Sequence, residues 1–383
     1  MLRSIPRFLG VCVLTLVVLE LVVRALVAAG AVPYRAYPET RESPFWANDD
    51  PVTGVWKPPL REFRHAGGCF DVVYRSNAFG MRDRERNLRS PASRRVALLG
   101  DSFVEGFGVA RAQRFGDLLE AHEGVEYLNF GSSGHFGTIQ AWLLYEKLAK
   151  RFDHTEVVFF VLPANDFLDN DPVGWRKQEY RPFLRREPRL EGDLPASEAA
   201  AFEVYYRVPF EERDATVRSW SKVLGNRIAN ASYLVNAWRW ATREAKSLRL
   251  RGTSPEQRSY GARSPEELAV LEHSLRATIE AAGPRPFRLV LVPGEADVRA
   301  ALEGEPEAPL VLRLRTFAST EGVEFLDLAP VFAREIRATG LDYRGFTLGC
   351  DPHWGPRGHA VVAAALAMDS AGTTSGADSI RID

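Results

Sequence analysis

From residue 94 onward, short runs of apolar and β-branched residues alternate with segments of helical pattern, and this alternation constrains the fold more than any other sequence feature. Such runs predict strands buried on both faces, and strands separated by helices pair in parallel. We therefore predict an α/β fold with a parallel sheet covered by helices on both sides. The predicted strands are residues 95–100, 125–130, 156–162, 287–293 and 323–328, and the predicted helices are residues 111–120, 138–151, 265–282, 308–319 and 356–368.

The alternation is interrupted between about residues 167 and 263, where charged residues are frequent and little strand pattern is present. A helical pattern covers residues 232–248, so we predict that this segment is a helical insertion. Its tryptophans are expected to be core residues, or alternatively to line a substrate cleft. They are Trp175, Trp220, Trp238 and Trp240.

Two further segments flank the predicted α/β domain, which spans residues 94–368. Residues 33–93 are rich in proline and arginine, contain a strand-like stretch at residues 70–75, and are expected to pack on that domain. Residues 369–383 are expected to form a flexible tail of small and polar residues.

The N-terminus carries an apolar stretch, residues 8–32, that is long enough to cross a membrane. Arg3 and Arg7 precede it, which favours a cytoplasmic N-terminus and export of the rest of the chain. Glu20 and Arg24 interrupt it one helical turn apart, where they can neutralise each other or meet a polar partner.

We predict that residues 1–32 form an uncleaved membrane anchor. The alternative is a cleaved signal peptide, with its apolar core at residues 8–19 and an Ala-x-Ala cleavage site at residues 29–31. Both alternatives place the α/β domain outside the cytoplasm, in the periplasm or at the cell surface.

The charge balance and the cysteine count exclude several classes of function. The 383 residues include 49 lysines and arginines against 50 aspartates and glutamates, a net charge of -1, so no basic field indicates a nucleic-acid partner. The 3 cysteines are too few for a four-thiolate zinc site or a dense disulfide framework. Cys12 lies in the apolar N-terminal stretch, which leaves Cys69 and Cys350 as a candidate disulfide in the exported part.

Four loops next to predicted strands and the last helix carry polar side chains suited to catalysis. Ser102 follows the first strand in the sequence Gly-Asp-Ser, Gly134 follows the second strand in a glycine-rich turn, and Asn165 follows the third. Asp351 and His353 immediately precede the last helix. Because the carboxyl ends of parallel strands meet at one edge of a sheet, we expect these loops to converge there.

These residue types supply every role that nucleophilic acyl transfer requires. Ser102 needs a base within hydrogen-bond reach, His353 is the candidate base, and Asp351 can orient its imidazole and stabilise the imidazolium. The developing oxyanion needs hydrogen-bond donors. The candidates are the backbone N–H groups of Ser102 and Gly134 and the side-chain amide of Asn165.

Gly131 is the alternative to Gly134 as a donor, because either glycine could instead serve only to shape the turn. Asp166 and Asp169 follow Asn165, but without a histidine or cysteine cluster they are expected to be solvated loop residues rather than a metal site. Motifs typical of α/β-hydrolases, zincins, P-loop proteins and dinucleotide-binding proteins are absent from the sequence. We therefore predict no metal and no cofactor.

The four loops, in this order, resemble the four sequence blocks of the SGNH (GDSL-type) hydrolase superfamily. The resemblance covers residues 94–368 and rests on Gly100-Asp101-Ser102-Phe103, Gly134, Asn165-Asp166 and Asp351-Pro352-His353. It implies a flavodoxin-like three-layer α/β/α fold and gives the residues named above the same catalytic and oxyanion roles. In two places the chain departs from the commonest pattern. The fourth block is Asp-x-His-Trp instead of Asp-x-x-His, which is similar to proteins related to alginate acetylation, and Pro-Ala precedes the asparagine where glycine is commoner.

The residues and this resemblance together predict a membrane-anchored, extracytoplasmic serine esterase or acetylesterase that acts through a covalent acyl-enzyme. Its substrate is expected to be an ester, and the fourth block favours O-acetyl groups of a polysaccharide. One alternative is an O-acyltransferase that uses the same triad and passes the acyl group to a sugar hydroxyl. Another alternative is a non-catalytic envelope or polysaccharide-binding protein that retains the fold.

Overall fold

The computed structural model describes residues 5–35, 37, 45–67, 69–123, 125–173, 180–186, 202–213, 219–251 and 259–371. The strands of this part of the chain are β1 Ala47–Asp50, β2 Gly54–Trp56, β3 Glu62–Ala66, β4 Asp71–Arg75, β5 Arg95–Leu99, β6 Glu126–Asn129, β7 Glu156–Val161, β8 Pro182–Arg186, β9 Phe202–Tyr206, β10 Phe287–Leu291 and β11 Glu324–Asp327. The α-helices are α1 Ile5–Ala28, α2 Ser102–Glu105, α3 Phe115–Glu123, α4 Thr138–Lys147, α5 Asp166–Asn170, α6 Trp220–Ala231, α7 Tyr233–Arg251, α8 Pro265–Ala282, α9 Glu295–Glu303, α10 Pro309–Glu321, α11 Leu328–Thr339 and α12 Pro356–Ala371.

Five of these strands form one parallel sheet in the order β11-β10-β7-β5-β6. Read from the other edge and numbered along the chain, this is the order 2-1-3-4-5 of flavodoxin-like doubly wound folds. The predicted α/β class with a parallel sheet is therefore confirmed. Each predicted strand of the sheet is present, with its ends displaced by at most about two residues.

The middle strands of the sheet are buried because their sequences are largely apolar. β5 and β10 are buried along their full length, and β7 is buried from its second residue onward. α3 packs on α12, and α4 packs on α8. The connections from β5 through α3 to β6 and from β6 through α4 to β7 cross the sheet in opposite directions, so right-handed crossovers place α3 and α4 on opposite faces. These helices form the two outer layers.

The insertion differs from its prediction as a helical segment. α7 confirms the predicted helix, but β8 and β9 form an antiparallel pair in which Pro182 lies opposite Tyr206 and Arg186 lies opposite Phe202. The sequence does not predict this pair, because two strands of 5 residues separated by a long connection carry little local pattern.

The tryptophans of the insertion that the structure describes are not core residues, which corrects the prediction. Trp220 and Trp238 expose 67% and 70% of their surface, and Trp240 exposes 37%. They stay exposed although α6 and α7 pack on each other and α7 packs on α1. Trp175 lies outside the described residues, as does residue 372 onward in the predicted tail.

The chain divides into two compact units. One unit contains residues 1–43, 64–72 and 217–256, and the other contains residues 44–63, 73–216 and 257–383. The parallel sheet belongs to the second unit, together with most of the proline-rich and arginine-rich segment that precedes it.

α1 has the properties predicted for a membrane anchor. Phe8–Ala28 comprises 21 residues with a mean hydropathy of 2.5, and none of its most apolar window is buried. Glu20 and Arg24 form the expected ion pair, with 2.9 Å between Oε1 of Glu20 and Nε of Arg24. By length and composition the helix can span a bilayer, a property that it shares with signal sequences.

The cysteines differ in redox state. Cys69 and Cys350 are both disulfide-bonded, whereas Cys12 in α1 is a free thiol. The two bonded cysteines are those that the sequence offers as a candidate pair.

Candidate active site

Ser102 is the first residue of α2, directly after strand β5. Gly100 makes this sharp turn possible, because its φ is 154° and a Cβ there would lie 2.6 Å from Cγ2 of Val104. Asp101 caps α2, since its carboxylate accepts the backbone N–H of Phe103 at 3.0 Å. The sequence Gly-Asp-Ser thus forms the turn between β5 and α2 and places Ser102 at the carboxyl edge of the sheet.

His353 and Asp351 lie in the loop before α12. This loop folds back on itself, because Thr347 and Trp354 form a β-bridge and the backbone N–H of Leu348 donates to the carbonyl of His353 at 2.9 Å. The indole of Trp354 is buried against an aromatic ring of α2. The loop is therefore anchored beside the helix that carries the serine.

The three predicted catalytic residues form a continuous series of hydrogen bonds. Nδ1 of His353 lies 2.5 Å from Oδ1 of Asp351, and Nε2 lies 2.7 Å from Oγ of Ser102. A carboxylate can only accept, so Nδ1 carries the imidazole proton and Nε2 is left to accept the serine hydroxyl. The side chains of His353 and Asp351 are 20% and 29% exposed, so solvent can reach the group.

Two phenylalanines contact the imidazole of His353. The ring of Phe107 stacks on it with 4.1 Å between ring centroids, and the ring of Phe103 lies at 4.8 Å. These contacts restrict rotation of the imidazole and so help to hold Nε2 toward Ser102. The sequence analysis does not identify Phe107. The one sequence feature that could have indicated its role is an aromatic residue shortly after Gly-Asp-Ser.

The glycine-rich turn gives different roles to its two candidate glycines. A Cβ at Gly131 would lie 2.3 Å from the backbone nitrogen of Glu105, so Gly131 permits close packing of the turn on α2. Gly134 has a φ of 94°, in the left-handed region that favours glycine. The structure therefore accounts for Gly131 by packing, while oxyanion donation by Gly134 stays a prediction.

The side-chain amide of Asn165 faces two carboxylates. Its Nδ2 lies 3.3 Å from Oδ2 of Asp101 and 3.4 Å from Oδ2 of Asp169. Its Oδ1 is buried without a hydrogen-bond partner among the residues that the structure describes. Donation to an oxyanion would require one N–H group of Asn165 to turn from these carboxylates, and this role also stays a prediction.

Asp101, Asp166 and Asp169 form a buried carboxylate cluster, with exposed fractions of 4%, 3% and 1%. The prediction that Asp166 and Asp169 are solvated is wrong, because the start of α5 turns inward and Asp166 accepts the backbone N–H of Leu162 at 2.6 Å. Burial raises the pKa of Asp101 to about 6. Burial, together with the charge of Asp101, also raises the pKa of Asp166 well above its usual value. The described part of the chain contains no group of three or more His, Cys, Asp or Glu residues that could hold a metal ion.

A buried ion pair contacts the glycine-rich turn. Glu105 accepts the backbone N–H of Ser133 at 3.0 Å and lies 3.3 Å from Nζ of Lys57, with both charged side chains 0% exposed. Lys57 donates to the carbonyl of Gly131 at 2.8 Å. Burial lowers the pKa of Lys57 to about 8. Burial alone would raise the pKa of Glu105, but the charges of Lys57 and Arg82 outweigh it and hold that pKa below its usual value.

No family model and no curated protein match the chain. Among solved structures, the chain is similar to a member of the lipolytic G-D-S-L family from Veillonella parvula, at 12% identity and a TM-score of 0.35 over 74% of this chain and 98% of that chain. It is similar to the lipase/acylhydrolase from Enterococcus faecalis, at 13% identity and a TM-score of 0.35 over 75% and 100%. It is also similar to a two-domain esterase active on acetylated mannans, at 13% identity and a TM-score of 0.37 over 75% and 52%. Since these identities and scores are low, we base the function on the geometry of this chain.

Proposed function

We propose that this protein is a serine ester hydrolase that acts through a covalent acyl-enzyme. The observation that carries the proposal is the hydrogen-bonded series of Ser102, His353 and Asp351, with 2.7 Å from Oγ to Nε2 and 2.5 Å from Nδ1 to the carboxylate. At such distances a base can take the proton of an attacking hydroxyl. Ser102 also lies at the carboxyl edge of a parallel sheet, where doubly wound folds bind ligands.

In acylation, Oγ of Ser102 attacks the carbonyl carbon of the ester while its proton passes to Nε2 of His353. The Asp351 carboxylate stabilises the imidazolium that forms. Backbone N–H groups of Ser102 and Gly134, with the amide of Asn165, are the proposed donors to the oxyanion. The bond from the acyl carbon to the leaving oxygen then breaks, and that oxygen takes the proton from Nε2 and departs as the alcohol.

In deacylation, a water molecule attacks the acyl carbon and gives a proton to Nε2 of His353. The bond between the acyl carbon and Oγ of Ser102 then breaks, and the proton returns to Oγ. The carboxylic acid leaves and the free hydroxyl is restored. In this scheme every proton transfer passes through one imidazole nitrogen, and we propose no cofactor.

The proposed location is outside the cytoplasm, with α1 retained as a membrane anchor. The length and apolar composition of Phe8–Ala28 support it. The disulfide-bonded state of Cys69 and Cys350 also supports it, because disulfides persist in oxidising compartments. The basic residues Arg3 and Arg7 favour an orientation with the N-terminus inside.

We propose O-acetylated carbohydrate as the substrate class. The block Asp351-Pro352-His353-Trp354 resembles that of proteins related to alginate acetylation, and an exported enzyme would meet the polysaccharides of the cell envelope. The same resemblance makes an O-acyltransferase the second candidate, because the triad could pass the acyl group from Ser102 to a sugar hydroxyl. The partition of acetyl groups between water and an added oligosaccharide separates the two reactions.

The hydrolase proposal is tested with the full-length protein in detergent, assayed on aryl acetates and acetylated oligosaccharides. Ser102→Ala should lower turnover by several orders of magnitude, because the nucleophile is lost. The matched control is Ser319→Ala at an exposed position of α10, which should retain wild-type turnover. Wild-type turnover in Ser102→Ala would contradict the proposal, and a folded wild-type protein without activity on either ester class would favour the non-catalytic binding protein.

A further inference from the structure

Glu20 of α1 holds the start of α7 in a set of three hydrogen bonds. Its carboxylate accepts the backbone N–H groups of Tyr233 and Leu234 at 2.9 and 3.0 Å. It also accepts the hydroxyl of Ser232 at 2.9 Å. Glu20 therefore caps the N-terminus of α7, where the helix dipole favours a negative charge.

Arg24, the ion-pair partner of Glu20, contacts the end of α6. Its Nη2 donates to the carbonyl of Ala231, the last residue of α6, at 3.1 Å. Its guanidinium also lies 4.4 Å from the centroid of the Tyr233 ring. A positive charge at the C-terminus of α6 complements that helix dipole in turn. The α6–α7 hairpin, Trp220–Arg251, thus satisfies both charges of the apolar span Phe8–Ala28, and we call this group of contacts the clasp.

The clasp fixes the position of the hairpin along α1. Glu20 lies eight residues before Ala28, which at a rise of about 1.5 Å per residue is about 12 Å from the end of the apolar span. An open groove of about 660 Å³ lies between α1 and the hairpin. It reaches along α1 as far as Val13, and Ile228 and Leu234 line it on the hairpin side. A bilayer core is about 30 Å thick, so the turn between α6 and α7 lies at the depth of the core if α1 spans it.

One face of α6 exposes a stripe of apolar side chains. On α6, Trp220, Leu224 and Ile228 follow one another at four-residue spacing on one helix face, with exposed fractions of 67%, 60% and 50%. On α7, Trp238 is 70% exposed. Contiguous apolar surface is rare on soluble monomers, whereas tryptophan is enriched where a protein meets the membrane interface.

The second half of α7 is basic. Its charged residues are Arg243, Glu244, Lys246, Arg249 and Arg251. Basic residues beside an apolar surface attract anionic lipid headgroups. The hairpin therefore combines a turn at membrane depth with a basic sequence in the second half of α7.

We propose that the α6–α7 hairpin is inserted into the outer leaflet beside α1, with Trp220, Leu224, Ile228 and Trp238 in contact with lipid acyl chains. This inference rests on the proposed retention of α1 as the anchor. Attachment then involves two elements of the chain, which Glu20 and Arg24 hold together within the bilayer.

The test places an environment-sensitive NBD fluorophore at position 224 of the full-length protein in vesicles of phosphatidylcholine and phosphatidylglycerol. Leu224→Cys is combined with Cys12→Ser, so that the label attaches to the new thiol. The matched control is Leu312→Cys in the same background, because Leu312 of α10 is 51% exposed and apolar. Nitroxide groups on the lipid acyl chains should quench the label at position 224 severalfold more than the label at position 312.

Two outcomes would overturn the proposal. One is an emission spectrum typical of water, without quenching, at position 224. The other is a spectrum typical of an apolar environment without quenching by lipid nitroxides, because a protein surface would then cover this face. Cleavage of α1 gives a different result, namely protein that lacks the first helix by mass spectrometry and does not stay with the vesicles.

A second variant tests the clasp. Glu20→Leu in the labelled background removes the acceptor for the Tyr233 and Leu234 N–H groups and makes α1 more apolar, so α1 should stay in the membrane. Quenching of the label at position 224 should fall severalfold, because the hairpin is no longer held at that depth. Unchanged quenching would show that Glu20 does not set the depth and would overturn the clasp.

Discussion

At the scale of single residues, the nucleophilic role that we propose for Ser102 depends on one imidazole held in one tautomer. Asp351 fixes the proton on Nδ1 of His353, and this leaves Nε2 free to accept from the serine hydroxyl. Phe103 and Phe107 contact the imidazole ring. The imidazole of His353 is therefore oriented both by the hydrogen bond to Asp351 and by its contacts with the two phenylalanine rings.

Asp351→Asn should lower kcat for ester hydrolysis by about 10⁴-fold. An amide can donate to Nδ1 and so move the imidazole proton to Nε2, where it blocks acceptance from Ser102. Initial rates over a range of substrate concentrations measure kcat, and a melting curve checks that the variant is folded. A folded variant with kcat within tenfold of wild type would show that Asp351 does not set the tautomer of His353.

The buried carboxyl groups of Asp101 and Asp166 predict a pH-dependent stability. Because their folded-state pKa values are raised, their contribution to stability is fully present below about pH 4 and is lost as the pH rises through about 6 and above. Asp166→Asn removes one of these titrating groups. The variant should therefore gain stability relative to wild type between about pH 5 and pH 8, as measured by chemical denaturation. A difference in unfolding free energy that does not change with pH would contradict this assignment.

Sequence reasoning finds the residues that follow strong local patterns and misses those that depend on distant contacts. Ser102 and His353 are identifiable because each adjoins a strand or helix with clear periodicity. The burial of Asp166 is not identifiable, since it depends on how α5 turns against the sheet edge. Lys57 is missed for the same reason, because its partner Glu105 lies far along the chain in another element.

At the scale of elements, the glycine-rich turn is held by contacts from two directions. Gly131 lets the turn approach α2 closely, and Glu105 of α2 accepts the N–H of Ser133. Lys57, just after β2, binds the carbonyl of Gly131. The segment that precedes the α/β domain therefore supports the loop that carries the proposed donor Gly134.

Glu105→Gln should destabilise the protein by about 3 to 5 kcal/mol, because it leaves the buried Lys57 ammonium without its counter-charge. Combining it with Lys57→Met should cost less than the sum of the two single changes, because the double variant buries no unpaired charge. Chemical denaturation of all four proteins gives the coupling free energy. Additive effects would contradict the pairing of these two side chains.

When residues typical of helix ends flank a helix, the sequence predicts both of its ends correctly. Short elements without such residues are not predicted. α8 begins at Pro265 after a capping box between Ser264 and Glu267, and it ends at Ala282 before Gly283; both ends match the predicted helix. β8 and β9 are missed because their pairing joins segments far apart in the chain. α9 and α11 are also missed, although each follows a predicted strand.

At the scale of the whole molecule, a near-neutral chain combines a helix able to span a membrane with an α/β unit that carries the proposed triad. The sequence predicts both parts, because an apolar stretch and a strand-helix alternation are local patterns. It does not predict the clasp, since Glu20 and the start of α7 are far apart in the chain. Long-range polar contacts of this kind also explain why charged residues occur in an apolar helix.

Non-reducing peptide mapping of the purified protein should find one pair of peptides that joins Cys69 and Cys350, because Cys12 is the free thiol. Reduction should lower the stability by about 2 to 5 kcal/mol, since the bond closes a long loop. It should also lower turnover, because Cys350 immediately precedes Asp351. Cys12→Ser is the control and should change neither quantity. Recovery of Cys69 and Cys350 as two freely alkylated thiols would contradict the bridge.

The central claim is a covalent acyl-enzyme at Ser102, and mass spectrometry after rapid acid quenching tests it most directly. Full-length protein is mixed with an activated acetyl ester, quenched during turnover, and digested. The peptide that contains Ser102 should carry one acetyl group, and Ser102→Ala protein should carry none. Conditions that slow deacylation should increase the acetylated fraction of this peptide. Hydrolysis of the ester with no acyl adduct on Ser102, or with the adduct on another residue, would contradict it.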